Sequence, residues 1–524
     1  MHVESSKKTF ITSAGEPNAR NQGPKPFSPA PQHFAFTSRG ESSLRDVREE
    51  QAENDIEEIN RLDWSATTAI APFTPWSSTD YWTSTETKSI FASEPTSEVW
   101  VAQETEQPGV QFLYSPRQSP EQLAIATFFR VFMPGPPGSK GLLDFLPLVF
   151  NGAPSRGVLA SAIIAIGLNA LAGKAHDNQL VLYSRIKYSH TLNELNQALQ
   201  DTYRAKSDEV LTTVLLMAQL ESISNPSLDS MFAHLEGAKA LVKLRGLEAL
   251  RSLVGMRTFT SLRAQIALAC IMRNEKIPDI IVELSHKSKD FPSNDSNWAS
   301  PLTMIVMSFC NIRARVHAGE VTDVSEILAS FYAVDQEMST WAMERPEEMQ
   351  YTRKPATPSA SDFAEYYDMY RDYWSFGIWN HYRTIHILCL EALLKFLTKQ
   401  SSNMDDLEQI ARIDVEKTKK REYIKELAGD ICASMPFYGQ IVSSRQEATT
   451  SKTQYDLPTP TYAGEGLIVM WPLGVIAGCP WAPIAMRRFA IRQLQILAGS
   501  SGNKQAAVLA AKLEQCLVQW ELAR

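Results

Sequence analysis

His381 and His386 stand five positions apart. A zinc-binding pair on one helix needs i, i+4 spacing so that both imidazoles leave the same face, and five positions miss that face. Two histidines packed beside aromatic residues are the expectation instead. His234-Leu235-Glu236 sets a carboxylate near an imidazole but lacks the second histidine of a metalloprotease helix. The cysteines, at 270, 310, 389, 432, 479 and 516, are never closer than 37 positions, so no paired thiolate ligands and no CxxC redox couple can be read. Buried free thiols are expected. Gly138-Ser139-Lys140-Gly141 puts glycines around a lysine, yet a phosphate loop needs Gly before the Lys, Ser or Thr after it, and a strand ahead. Gly464-Glu465-Gly466 lacks the third glycine and the βαβ setting of a dinucleotide fingerprint, and Gly499-Ser500-Ser501-Gly502 is not a nucleophile elbow. The sequence therefore assigns no catalytic, cofactor-binding or metal-ligating residue and implies no cofactor.

Nucleic-acid contact would need clustered cations, and these are scarce. Residues 1–110 hold 9 Lys/Arg against 17 Asp/Glu, so the whole net charge of −8 sits there and residues 111–524 carry 42 of each sign. An acidic tail repels phosphate, and a neutral body gives no electrostatic footprint. The dense basic run Lys417-Thr418-Lys419-Lys420-Arg421 suits a nuclear import receptor, or an exposed helix face with Glu416 and Lys420 paired at i, i+4. Tyr366, Tyr370, Tyr373, Trp374, Trp379 and Tyr382 are read as one aromatic-rich helix. Bases can stack on such rings in a basic groove, but with Arg371 and Arg383 as its cations this segment is assigned to core packing.

The elements that would position these residues are helical. Residues 1–110 are rich in Ser, Thr, Pro and Gln and, apart from an acidic stretch at 44–64, lack apolar periodicity, so the segment is expected to be mostly disordered. Its acidic residues alternate with Trp64, Phe73, Trp76, Tyr81, Trp82, Phe91 and Trp100. That pattern suits a solvated linker whose aromatics dock on the body, or an amphipathic segment that binds a coactivator. The first residues lack an apolar run, so no secretory signal is expected.

From residue 111 onward helix signals follow one another. Val158 to Ala172 is apolar nearly all round, as in a buried helix. Leu192, Leu195 and Leu199 share a face. Ser207 is an N-cap with Asp208 and Glu209 in the first turn, and Leu211, Val214, Leu215 and Ala218 continue at helical spacing. A further helix runs from near Asp229 to Arg245, with Gly246 at its end. Helices are expected around 247–270, 301–317, 324–343, 361–398, 405–435, 484–498 and 503–522, with irregular stretches at 274–297 and 343–360. Gly466 to Met486 holds 21 positions without a charge, long enough to span a bilayer. Pro472, Pro480 and Pro483 interrupt it, which favours a buried helix, a turn and a second helix over a membrane span. The fold class expected is all-α: one large domain of packed helical hairpins over 111–524, preceded by the disordered acidic segment 1–110.

Four stretches together resemble the fungal-specific transcription factor domain, the helical regulatory domain usually found C-terminal to a binuclear zinc cluster. They are Ser207-Asp208-Glu209-Val210-Leu211 with Leu220-Glu221; His234-Leu235-Glu236-Gly237-Ala238 with Leu241, Leu244, Arg245 and Gly246; Trp379-Asn380-His381-Tyr382-Arg383 with Ile385 and Leu388; and Met470-Trp471-Pro472-Leu473 with Arg487-Arg488 and the late helix from Gln505 to Leu517. The residues themselves read as structural: Gly237 and Ala238 for close helix packing, Gly246 for a helix end, Trp471-Pro472 for a turn into a buried helix. The family's zinc cluster uses closely spaced cysteines, and no cysteine precedes Cys270. Either an upstream exon encodes it or the protein is a regulator without its own DNA reader.

The resemblance implies a nuclear transcriptional regulator or co-regulator, not an enzyme, controlling a specialised (secondary) metabolite pathway. It would act through protein partners, a related DNA-binding factor or a homodimer, with no direct sequence-specific DNA binding and no membrane contact. The alternative is an all-α enzyme or small-molecule-binding protein of a metabolic pathway with no recognisable site.

Overall fold

The computed structural model describes residues 119–523 apart from 134–140, 142, 153–156, 176, 226, 292–298, 356–365, 450–462 and 502. The expected disordered segment 1–110 lies outside the described residues. Within them the chain forms sixteen α-helices and one two-stranded hairpin. The fold is all-α, as the periodicity predicts.

The first group of helices is α1 (Pro120–Phe132), α2 (Leu146–Gly152), α3 (Val158–Ala175), α4 (Asn178–Gln200), the single turn α5 (Thr202–Ala205), α6 (Asp208–Ser224) and α7 (Asp229–Arg245). Next come α8 (Leu253–Arg273), α9 (Asp279–Lys287), α10 (Ala299–His317) and α11 (Val324–Met343). The strands β1 (Thr352–Pro355) and β2 (Tyr366–Met369) precede α12 (Tyr373–Ser401) and α13 (Leu407–Thr449), and the chain ends in α14 (Ala463–Gly478), α15 (Ile484–Ser501) and α16 (Lys504–Ala523). One contiguous apolar core runs from Phe128 to Leu517, with a small satellite of Ala124, Ile164, Leu168 and Leu171 where α1 meets α3.

Short polar side chains set the helix starts by taking up backbone N–H groups that have no partner inside the first turn. Ser119 and Gln122 form a reciprocal capping box on α1. Ser207 accepts from Val210 N at 3.2 Å, Asp323 from Glu326 N at 2.9 Å and Asp372 from Ser375 N at 2.7 Å. Helix α7 ends at Gly246, whose φ of +59° is a conformation that residues with a Cβ rarely adopt, and α8 ends at Asn274 in the left-handed region.

Several expectations need correction. The span 247–270 is not one helix, because a 3-10 turn (Leu247–Arg251) is broken from α8 at Ser252, which caps Gly255 N. The stretch 274–297 contains α9, which buries Ile281 and Leu284. Leu199 lies exposed at the end of α4, whose buried face is Ser184, Thr191, Leu195 and Ala198. The aromatic helix begins at Tyr373 rather than at 361. Tyr366 and Tyr367 belong instead to β2, which pairs antiparallel with β1 so that Arg353 faces Asp368. Helix α13 runs on through Pro436 to Thr449, beyond the expected end at 435, and Pro472 sits inside α14 rather than in a turn. A proline within a helix removes the N–H that would bond the residue four back and crowds that residue's carbonyl, a cost that packing of the flanking turns must offset. Residues 466–486 form a helix, a turn and a helix as expected, and no helix among the described residues is long and apolar enough to cross a membrane.

Candidate functional site

The first two family-like stretches form one joint between α6 and α7. Asp208, in the first turn of α6, makes an ion pair with Arg245, in the last turn of α7, so each charge also suits the helix end that it occupies. Glu209 accepts from Leu159 N at 3.5 Å and ties the joint to α3. His234 Nε2 meets the Tyr188 hydroxyl at 3.1 Å. Burial pushes His234 below the ordinary histidine value, which favours the neutral ring. Leu235 and Ala238 are buried in the core. Gly237 is not the packing glycine expected of it: it lies on the exposed side of α7, and an added Cβ would meet nothing within 4 Å. Its neighbour Ala238 makes the packing contact.

The third stretch carries a dense, largely buried polar network. Arg383, on α12, is 1% exposed in its side chain, and Asp368, on β2, is 0% exposed. Arg383 Nη2 donates to Asp368 Oδ2 at 3.2 Å and stands 3.8 Å from Asp430 Oδ2 on α13. Its Nη1 donates to the Tyr370 hydroxyl and to Asn380 Oδ1. Arg353, on β1, grips Asp368 from the other side through Nε at 2.9 Å and reaches Asp430 Oδ1 through Nη2 at 2.6 Å. Two guanidinium groups and two carboxylates thus balance, and the Tyr351 ring lies 4.8 Å from the Arg383 guanidinium. Burial alone would push Arg383 down, but its tyrosine and aspartate neighbours hold it above the ordinary arginine value. Asn380 donates to Ser434 Oγ at 3.0 Å, and Trp379 Nε1 donates to Met349 O at 2.6 Å. The network therefore fastens the hairpin and the segment before it onto α12 and α13.

One turn along α12, His386 Nε2 meets Asp335 Oδ1 of α11 at 2.7 Å, and its Nδ1 meets the Tyr382 hydroxyl at 3.1 Å. An imidazole oriented by a carboxylate supplies two of the three members of a hydrolytic triad. Here the atom at the other ring nitrogen is a buried phenol pushed above its ordinary pKa by burial, not an exposed nucleophile. Lys420 of α13 also bonds Asp335. Burial works against the Asp335 carboxylate, but the His386 and Lys420 hydrogen bonds hold it below the usual range. This arrangement joins α11, α12 and α13 rather than presenting reactive groups to solvent.

The basic run accordingly differs from the exposed face expected. Lys420 pairs with Asp335 rather than Glu416, which instead accepts from Tyr332 at 2.6 Å. Arg421 lies over the Trp481 ring at 4.2 Å, Lys417 is 12% exposed and pairs with Asp414, and Lys419 is left exposed. His381 packs against Trp471 of α14, and burial pushes it down to about 4. The two histidines five apart do serve different helix faces. Among the described residues, no group of three or more His, Cys, Asp or Glu is placed to hold a metal ion.

The fourth stretch contributes Arg487, whose Nε donates to Ala477 O at 3.0 Å, and Cys479 lies between its parts. The Cys479 thiol is hydrogen-bonded to Glu391 of α12, and burial raises that carboxyl to about 7. Between its ordinary 4.5 and about 7, the folded protein keeps a proton that the unfolded chain releases, so this group's stabilising contribution is present below pH 4.5 and lost as pH rises to 7. Glu391→Gln is expected to match the parent near pH 4.5 and to exceed it at pH 8 by about 1–3 kcal/mol. Urea melts at the two pH values check this, and equal stability of the two proteins at pH 8 would remove the claim.

With these joints in place, the chain can be compared with known proteins. Residues 124–303 match the family model of the fungal specific transcription factor domain. The match covers α1 to the start of α10 and so takes in the α6–α7 joint. An uncharacterized protein of Emericella nidulans is 32% identical over 108 residues, 20% of this chain and 23% of that protein. The chain thus matches under a quarter of that relative's length. No solved structure matches. The third and fourth stretches lie outside the matched residues. Sequence reasoning placed Arg383 and missed its partners Asp368 and Asp430 and the Arg353 that shares them, for which the sequence holds no local signal.

Proposed function

We propose that this protein is a nuclear transcriptional regulator or co-regulator that works through protein partners and controls a specialised metabolite pathway. The observation that carries the reading is the match of residues 124–303 to a fungal specific transcription factor domain, which supports a regulator. The internally satisfied character of the polar clusters supports it, because the His386–Asp335 pair and the Arg383 network spend their donors on neighbouring helices. DNA is reached through a partner, either a related DNA-binding factor or a complex in which a second copy takes part. The charge distribution favours this, since a neutral body and a −8 N-terminal segment supply neither phosphate neutralisation nor base-edge contacts.

The test has two arms. Purified 524-residue chain is expected to give no sequence-dependent duplex binding at about 150 mM salt, where non-specific phosphate contacts are weak. In cells, chromatin capture is expected to recover promoters that change expression together on deletion, with that occupancy lost when a partner factor is removed. Nanomolar, sequence-dependent binding by the isolated chain would overturn the partner requirement. Accumulation of one pathway intermediate with transcripts unchanged would favour an all-α enzyme or small-molecule-binding protein instead.

A further inference from the structure

Three arginines are among the largest fully buried side chains, and their surroundings differ. Arg383 has two aspartates, a tyrosine and an asparagine. Arg487 has the Ala477 carbonyl and lies 5.0 Å from the Trp520 ring. Arg263, in the middle of α8, is 2% exposed, and its Nε is sealed from solvent with no hydrogen-bond partner. Among the described residues no carboxylate pairs with it, and its one favourable neighbour is the Phe259 ring at 5.7 Å. A ring face at that distance offsets a small part of the cost of burying a charge.

The residues that share its side of α8, one turn away in each direction, are mostly apolar and include no carboxylate. Phe259, Ile266 and Ala267 are buried and apolar, and the Thr260 hydroxyl donates to Met256 O at 2.9 Å. Cys310 of α10 packs on the same side, donating to Ala267 O at 3.7 Å. Burial lowers Arg263 only to about 10, so it stays charged at neutral pH. The same chain shows at Arg383 how a buried guanidinium is neutralised, and at Arg263 that half of the arrangement is missing.

We infer that Arg263 is one side of a binding site for the carboxylate of a small organic acid. A single buried guanidinium is balanced by one monoanion, whereas a phosphate dianion would leave an excess negative charge in the same apolar surroundings. The planar fork of the guanidinium also suits a carboxylate held through two parallel hydrogen bonds. This inference rests on α8 and holds whether or not the chain regulates transcription.

Thermal melts of the full chain test it, using sodium butyrate and sodium benzoate as probes against sodium chloride and sodium phosphate at constant ionic strength. At about 10 mM, at least one carboxylate is expected to raise the melting temperature by about 1 °C or more over chloride, with phosphate giving less. Arg263→Met is expected to melt higher than the parent without any probe, because an unpaired buried charge is gone, and to lose the carboxylate shift. Arg263→Lys, which keeps the charge but not the fork, is expected to lose most of that shift without the gain in melting temperature. A parent indifferent to both carboxylates, a shift that survives in Arg263→Met, a larger response to phosphate, or an Arg263→Met protein less stable than the parent would each overturn the inference.

Discussion

Replacing Asp368 with Asn is expected to cost the folded protein about 3–5 kcal/mol, the usual penalty for stranding a buried charge. Asp368 is fully buried, and it stands between Arg353 and Arg383. With its charge removed, two guanidinium groups share Asp430 alone, and Arg383, 1% exposed, cannot reach water. Arg353 can, because its side chain is 41% exposed. Hence Arg353→Gln alone is expected to cost less, and Asp368→Asn combined with Arg353→Gln, which restores the balance of charge, to cost less than the sum of the two. Denaturant unfolding of the three variants reads the cycle directly. A loss under about 1 kcal/mol in Asp368→Asn, or simple additivity, would show that the network is not the clamp described.

That clamp also marks the limit of what the sequence discloses. A helix announces itself through neighbours three and four positions apart, so α11 (Val324–Met343) was legible to the residue and α10 nearly so. The strands had no such signal. β1 and β2 are four residues each, and their aromatic and charged residues gain their meaning from cross-strand pairing and from Asp430, which lies 62 positions from Asp368. The start of α12 was misplaced for the same reason, because Tyr366 and Tyr370 continue the aromatic pattern of the helix while the cap that begins it is Asp372. Lys420 likewise looked like the partner of Glu416 four positions away, whereas packing against α11 offered Asp335, a partly buried acid that binds more firmly than an exposed one. For Asp430 and Asp335 the missed partner is distant in sequence, and local spacing carries no trace of it. The α6–α7 joint was better served: Ser207, Asp208, Arg245 and Gly246 all act at helix ends, where residue type reports role.

Glycine roles illustrate the same division, and they give the other large effect expected. Helical glycines matter where two backbones touch, which no single helix discloses. Gly237, chosen for its neighbours in a recognisable stretch, faces open space, so Gly237→Leu is expected to melt like the parent or slightly higher, given the low helix propensity of glycine. Gly167 is different. A Cβ built on it would lie 2.0 Å from the Ala124 carbonyl oxygen and 2.6 Å from its carbon, both backbone atoms of α1. The obstacle is therefore not a flexible side-chain end that can swing aside. Even Gly167→Ala must push α1 off α3, opening the satellite cluster of Ala124, Ile164, Leu168 and Leu171, and is expected to cost about 1–3 kcal/mol or more. Leucine should be worse. The two substitutions at Gly167 and the one at Gly237, compared by urea unfolding, separate close backbone approach from loss of a generic helix glycine. If Gly167→Ala stabilised the protein as an ordinary helical Gly→Ala change does, the contact between α1 and α3 would have to be looser than the one described here.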